Sequence, residues 1–173
     1  GPNQFSPITL IDFTAGGLVM RYPNLESPIT IPEDSLTFQV GYRPQLDSEK
    51  YTALVEAGYN DQALELIRRE VYPLLKYVPI EPQTVNIHPL VGRLLDELIA
   101  NGEIAEATAI LESFPRNRLT GYFRNQAVEV ASGLVEEEEV DRAYEMVKQF
   151  PLGPGQLDFA TVYLDLANEF RLR

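Results

Sequence analysis

The stretch from Val91 to Pro115, VGRLLDELIANGEIAEATAILESFP, constrains the fold of this chain more than any other. Apolar Val91, Leu94, Leu95, Leu98 and Ile99 recur at the three-and-four spacing of one helix face. After Asn101-Gly102 the same spacing returns in Ile104, Ala107, Ile110, Leu111 and Phe114. Two amphipathic helices joined by so short a turn fold back on each other as a hairpin. The flanking sequence echoes this unit, which implies a protein of stacked helix hairpins.

The echo is plainest when the hairpins are aligned on one alanine. GYNDQALELI (58–67), GEIAEATAIL (102–111) and EEEVDRAYEMV (137–147) place Ala63, Ala107 and Ala143 in equivalent positions. Gly58 and Gly102 stand five residues before it, and Ile104 and Val140 three before. Ile67, Leu111 and Val147 stand four after, and Phe114-Pro115 matches Phe150-Pro151. The first two alanines are 44 residues apart and the second two 36, with the excess in a connector over residues 74–88. Adjacent helices approach closely only over a side chain as small as a methyl group, so a recurring alanine marks a recurring seam.

Local signals place the remaining helices. Asp47-Ser48 caps a helix carrying Tyr51, Leu54 and Val55 and ended by Gly58. Asn60-Asp61 caps the next, which Pro73 disturbs. His88 stands where an N-cap would, with Pro89 at the first helical position. Thr120 starts a helix through Phe123, Ala127, Val130, Ala131 and Leu134, and Asp158 a last one through Phe170.

On these residues the second part of the chain, 48–173, resembles the tetratricopeptide family, in which helix pairs repeat at about 34 residues with a small alanine where helices touch. The aromatic and Gly-Tyr signature of that family's first helix is missing here. The resemblance implies a right-handed stack of hairpins, about seven helices in all, whose first helices line a groove for a peptide or partner subunit. The fold class expected is α+β, mainly α.

Residues 1–46 have a different texture and are read as a small β-module ahead of a helical domain at 47–173. They are rich in proline, and apolar residues alternate: Ile8 and Leu10, then Leu18 to Tyr22, Ile29 to Ile31 and Leu36 to Val40. Three or four short strands of an antiparallel meander are expected. The stretch 8–41 resembles a small SH3-like or Sm-like barrel through Gly17-Leu18-Val19-Met20, Ile29-Thr30-Ile31-Pro32 and Leu36 to Val40. So few strands need the helices, or another chain, to cover them. An open edge could also pair with a partner strand.

Composition narrows the function. With 14 basic against 26 acidic residues the net charge is −12, contrary to the excess of Lys and Arg that nucleic-acid binding needs. No apolar run reaches the roughly 20 residues of a membrane span. There are no cysteines, so disulfides, thiolate metal sites and cysteine nucleophiles are excluded. The chain opens on Gly1-Pro2-Asn3, as a trimmed sequence would. Together with the lack of cysteine this points to the bacterial envelope, with the cytoplasm as the alternative.

Little in the sequence suggests bond-making. His88 is the sole histidine, and Glu81 and Asp96 do not stand at ligand spacing from it. Four consecutive acids, Glu136 to Glu139, point in different directions from a helix or turn and cannot wrap one ion. No catalytic residue, metal site or cofactor is expected. The candidate binding residues are Arg93, Asp96, Glu97, Arg124, Gln126 and Glu129 on the first helices, with Arg116 and Arg118 forming a basic turn beside Arg124. The first expectation is a non-catalytic scaffold for a protein or peptide partner. Alternatives are a self-assembling envelope component, which would be a homo-oligomer, and a hydrolase built on His88.

Overall fold

A computed structural model describes residues 7–36, 39–80, 84–115 and 122–149, together with Leu164, Ala167 and Asn168. Over these residues the protein is α+β and mainly helical. A three-stranded antiparallel sheet comes first, with β1 (Thr9–Thr14), β2 (Gly17–Arg21) and β3 (Ile29–Ile31) in the order β1-β2-β3. Six helices follow: α1 (Ser48–Glu56), α2 (Asn60–Val71), α3 (His88–Ala100), α4 (Ile104–Glu112), α5 (Arg124–Glu136) and α6 (Val140–Gln149).

The sheet is small and depends on the helices. Thr14 pairs with Gly17, leaving Ala15-Gly16 as a two-residue hairpin turn. Gly17 has φ +121°, and a Cβ there would stand 2.1 Å from the Ile31 carbonyl oxygen, so only glycine fits. On the central strand Leu18 and Met20 are fully buried and belong to one continuous apolar core with Leu64, Leu94 and Val147 of the helices. Burying each such side chain contributes about 1.5–3 kcal/mol. Two or three strands alone could not recover the chain entropy they lose.

Three of the expected three or four strands are present, and of the stretch Leu36 to Val40 the residues Thr37 and Phe38 lie outside the described residues. After β3, Pro32 opens a 3-10 turn at Glu33–Ser35, and Val40 makes a parallel bridge to Val85. Residues 40–46 run as a strap across the helices. The Tyr42 amide donates to Asn86 Oδ1 (2.6 Å), and the Tyr42 hydroxyl and the Gln45 amide both donate to Glu70 Oε1, at 2.6 and 2.7 Å.

Both outer edges of the sheet are blunted. Lys76 donates to the Ile11 carbonyl at 2.6 Å and pairs with Asp12, beside a bulge in β1 between Leu10 and Asp12. Pro28 and Pro32 flank β3, and neither can donate to a further strand.

The three hairpins share one turn. α1, α3 and α5 each end in a residue with left-handed backbone: Gly58 (φ 77°), Gly102 (φ 77°) and Glu138 (φ 64°). In each, the next amide reaches back five residues to a leucine carbonyl: Tyr59 to Leu54, Glu103 to Leu98, Glu139 to Leu134, at 2.8–2.9 Å. Ala63, Ala107 and Ala143 are then the fourth residues of α2, α4 and α6, at 1%, 0% and 0% exposure. Each alanine amide donates to the residue four before it, Tyr59, Glu103 or Glu139. The three seams are equivalent in backbone, position and burial.

Neighbouring helices pack in chain order, and α3 also meets α5 directly. The second helices are tied by ion pairs with a common register. Five residues after its alanine, Arg68 of α2 forks onto Glu106, one residue before the alanine of α4 (Nε to Oε1, 2.9 Å). Five residues after its own alanine, Glu112 of α4 takes the fork of Arg142, one residue before the alanine of α6, at 2.8 and 2.9 Å. The same rung appears twice with its charges exchanged.

Local chemistry moves several boundaries. Asp47 caps α1 as expected, its carboxylate accepting from the Lys50 amide at 3.0 Å. Asn60 and Asp61, however, are the first residues of α2 rather than its cap, and α3 begins at His88 with Ile87 before it. Pro73 has no amide hydrogen to continue α2, so Tyr72–Tyr77 tightens into a 3-10 helix where a plain connector was expected. The expected helix over 158–170 falls on residues of which only Leu164, Ala167 and Asn168 are described, all helical. Phe150-Pro151 and Thr120 lie outside the described residues.

Candidate partner-binding face

The six expected first-helix residues fall on α3 and α5, and most of them are brought together. α3 meets α5 directly and reaches α1 through its side chains. Asp96 and Glu97 are adjacent in sequence and turn to different neighbours. Asp96 accepts from Gln126 Nε2 of α5 at 2.8 Å. Glu97 accepts a hydrogen bond from the Tyr51 hydroxyl of α1. Arg93 lies over the Tyr51 ring, its guanidinium carbon 4.3 Å from the ring centre.

This polar tie spans all three first helices. Tyr51 is its pivot: its ring is buried at 6% exposure, while its hydroxyl reaches the Glu97 carboxylate. Burial first, and then the bond to Glu97, push the phenol up, against the opposing pull of Arg93. Glu129 is exposed on α5, and Arg124 is half-buried at its start. Arg116 and Arg118 lie outside the described residues.

Tyr51 is the residue of this polar tie that the sequence reading did not single out for the face. Its signal was positional, seven residues before the left-handed Gly58. The Arg68, Glu106, Glu112 and Arg142 rungs were also readable in principle, as opposite charges at fixed offsets from the aligned alanines. On that side Tyr72 also donates to Glu106, whose carboxyl is held low first by Arg68, against burial. Tyr72 itself is pushed up to about 12 by burial and then by that bond.

His88 takes no part in the face. It is fully buried, with Nε2 3.0 Å from the Val78 carbonyl, Nδ1 3.3 Å from the Val85 carbonyl and its ring against Tyr122 and Phe123. Glu136 to Glu139 straddle the end of α5 and the turn before α6, and Glu139 joins Arg142 at 3.2 Å. Among the described residues no cluster of three or more His, Cys, Asp or Glu could hold a metal ion. No described helix is long and apolar enough to cross a membrane.

No family model, curated protein or solved structure matches the chain. Function therefore rests on the geometry alone.

Proposed function

We propose that the protein is a non-catalytic interaction module that binds a peptide segment or partner subunit across α1, α3 and α5, in the manner of a tetratricopeptide-like groove. The observation that carries this reading is the polar tie Gln126–Asp96 and Glu97–Tyr51–Arg93, which runs from α5 through α3 to α1. Side chains already held by one another lose less freedom when a ligand arrives, a saving of about 0.5–1.5 kcal/mol for each. The tied groups also offer donors and acceptors at fixed spacing, which suits recognition of a polar backbone or side chain. The blunted edges of β1 and β3 favour the helical face over strand addition.

Selection of a random displayed peptide library against the whole chain tests this. Arg93→Ala, and Asp96→Lys with Glu129→Lys, should weaken the selected peptides at least about tenfold. Glu65→Lys on the far side, in α2, should leave them unchanged. A selection that yields no peptide, or peptides indifferent to the α3 and α5 changes, overturns the proposal.

A further inference from the structure

Arg93 is the one cation of the polar tie, and it is held in an unusual way. It stands four residues before Glu97 on α3, the spacing at which acid and base pair along a helix. The two do not pair. Glu97 accepts from the Tyr51 hydroxyl instead, and the guanidinium carbon of Arg93 lies over the Tyr51 ring, 4.3 Å from its centre. Among the described residues no carboxylate forms an ion pair with Arg93. The ring covers one side of the guanidinium, and Arg93 is otherwise exposed.

Charge decides what the open side accepts. A carboxylate arriving there meets a chain of net charge −12, with Asp96 and Glu97 within about a turn of Arg93 on the same helix. A lysine or arginine is repelled by Arg93 itself. An aromatic ring carries no net charge, and its electron-rich face attracts a cation lying within about 6 Å of the ring centre. Guanidinium also stacks on rings more readily than ammonium, because it is less strongly hydrated. Already resting on Tyr51, the Arg93 side chain loses little further freedom when a second ring arrives.

We propose that Arg93 is the recognition point for an aromatic side chain of the partner segment, which stacks on the guanidinium opposite Tyr51. Such a site rests on α1, α3 and α5 binding a peptide at all, and it names the side chain that they select. Exposed cation–ring contacts are worth about two- to fivefold in affinity, and a cation shared between two rings loses more water and gains more.

The test uses peptides selected on the whole chain from a random displayed library. One is synthesised with phenylalanine at its most enriched aromatic position, and again with pentafluorophenylalanine or leucine there. Fluorination draws electrons from the ring face while making the side chain more apolar. A cation–ring contact therefore weakens, whereas a merely hydrophobic contact tightens. By isothermal titration calorimetry the fluorinated and leucine peptides should each bind the original chain at least about threefold more weakly. On Arg93→Met, whose side chain still reaches across Tyr51, the fluorinated peptide should bind at least as well as the phenylalanine one. Circular dichroism checks that this variant keeps its helices, and the fluorination result on the original chain stands without it. Selected peptides that depend on α3 and α5 but share no aromatic residue overturn the proposal and leave the peptide-binding face standing. So does a fluorinated peptide that binds the original chain as well as its parent. A selection that yields no peptide removes both.

Discussion

Replacing Glu138 by glycine should make the protein more stable, although it removes a side chain and adds none. Glu138 holds φ 64°, the conformation that glycine supplies at Gly58 and Gly102 in the two preceding turns. For a residue with a Cβ the left-handed region costs roughly 1–2 kcal/mol. Glycine gives back roughly 0.5–1 kcal/mol of that through the greater freedom of its unfolded chain. The expected net gain is about 0.5–1 kcal/mol, or about 1–4 °C in melting temperature for a chain of this size. Glu138 also stands among four consecutive acids, so losing its side chain has an electrostatic effect of its own. Glu138→Ala separates the two effects, because it removes the charge and keeps the backbone cost. The gain belonging to the turn is the difference between the glycine and alanine variants. Gly102→Ala provides the reverse measurement. Nothing stands within 4 Å of the added Cβ, so its loss of about 0.5–1 kcal/mol reports backbone conformation without a clash. Thermal melts followed by circular dichroism, with urea titrations of unchanged slope, read all three. If Glu138→Gly is no more stable than Glu138→Ala, or Gly102→Ala costs nothing, the three turns are not equivalent.

Two further outcomes test the ties between second helices. Arg68→Glu and Glu106→Arg should each destabilise by about 1 kcal/mol, while the double exchange recovers at least half of the summed loss, because Glu112–Arg142 carries the reversed polarity in the same register; a double variant no better than the sum of the singles refutes the rung. Glu106 and Glu112 are both held below the usual 4.5, first by Arg68 and by Arg142 respectively. A lowered carboxyl stabilises above its unfolded-state range and loses that contribution as pH falls through its folded-state range. The urea midpoint should therefore drop as pH falls below about 4.5, and Glu106→Gln should flatten that drop.

Much of the helical half was legible because its apolar spacing, two turn glycines and three alanines agree with one another. The hairpin turn before α6 was harder, since Glu138 adopts a glycine's conformation without being one and leaves no trace in the residue type. The three strands were legible from alternation, whereas the parallel bridge of Val40 to Val85, beyond the 3-10 turn that Pro32 opens, pairs residues too far apart for a local pattern to record. The change of winding at Tyr72–Tyr77 was announced by Pro73, but its effect on the next residues depends on packing that spacing does not record. In the candidate site, Arg93, Asp96, Glu97 and Gln126 were legible as polar positions of first helices. That they engage one another, and that Tyr51 links two of them, depends on how far apart neighbouring helices settle.

The exchanged polarity of the two rungs acts as a lock on the order of the units. Were the second hairpin copied behind itself, Glu112 would confront another Glu106. Were the third placed directly after the first, Arg68 would confront Arg142. The hairpins look like interchangeable bricks from their turns and seams, but their charges key each one to its own neighbours, and a shuffled or lengthened version of this chain would need its keys recut.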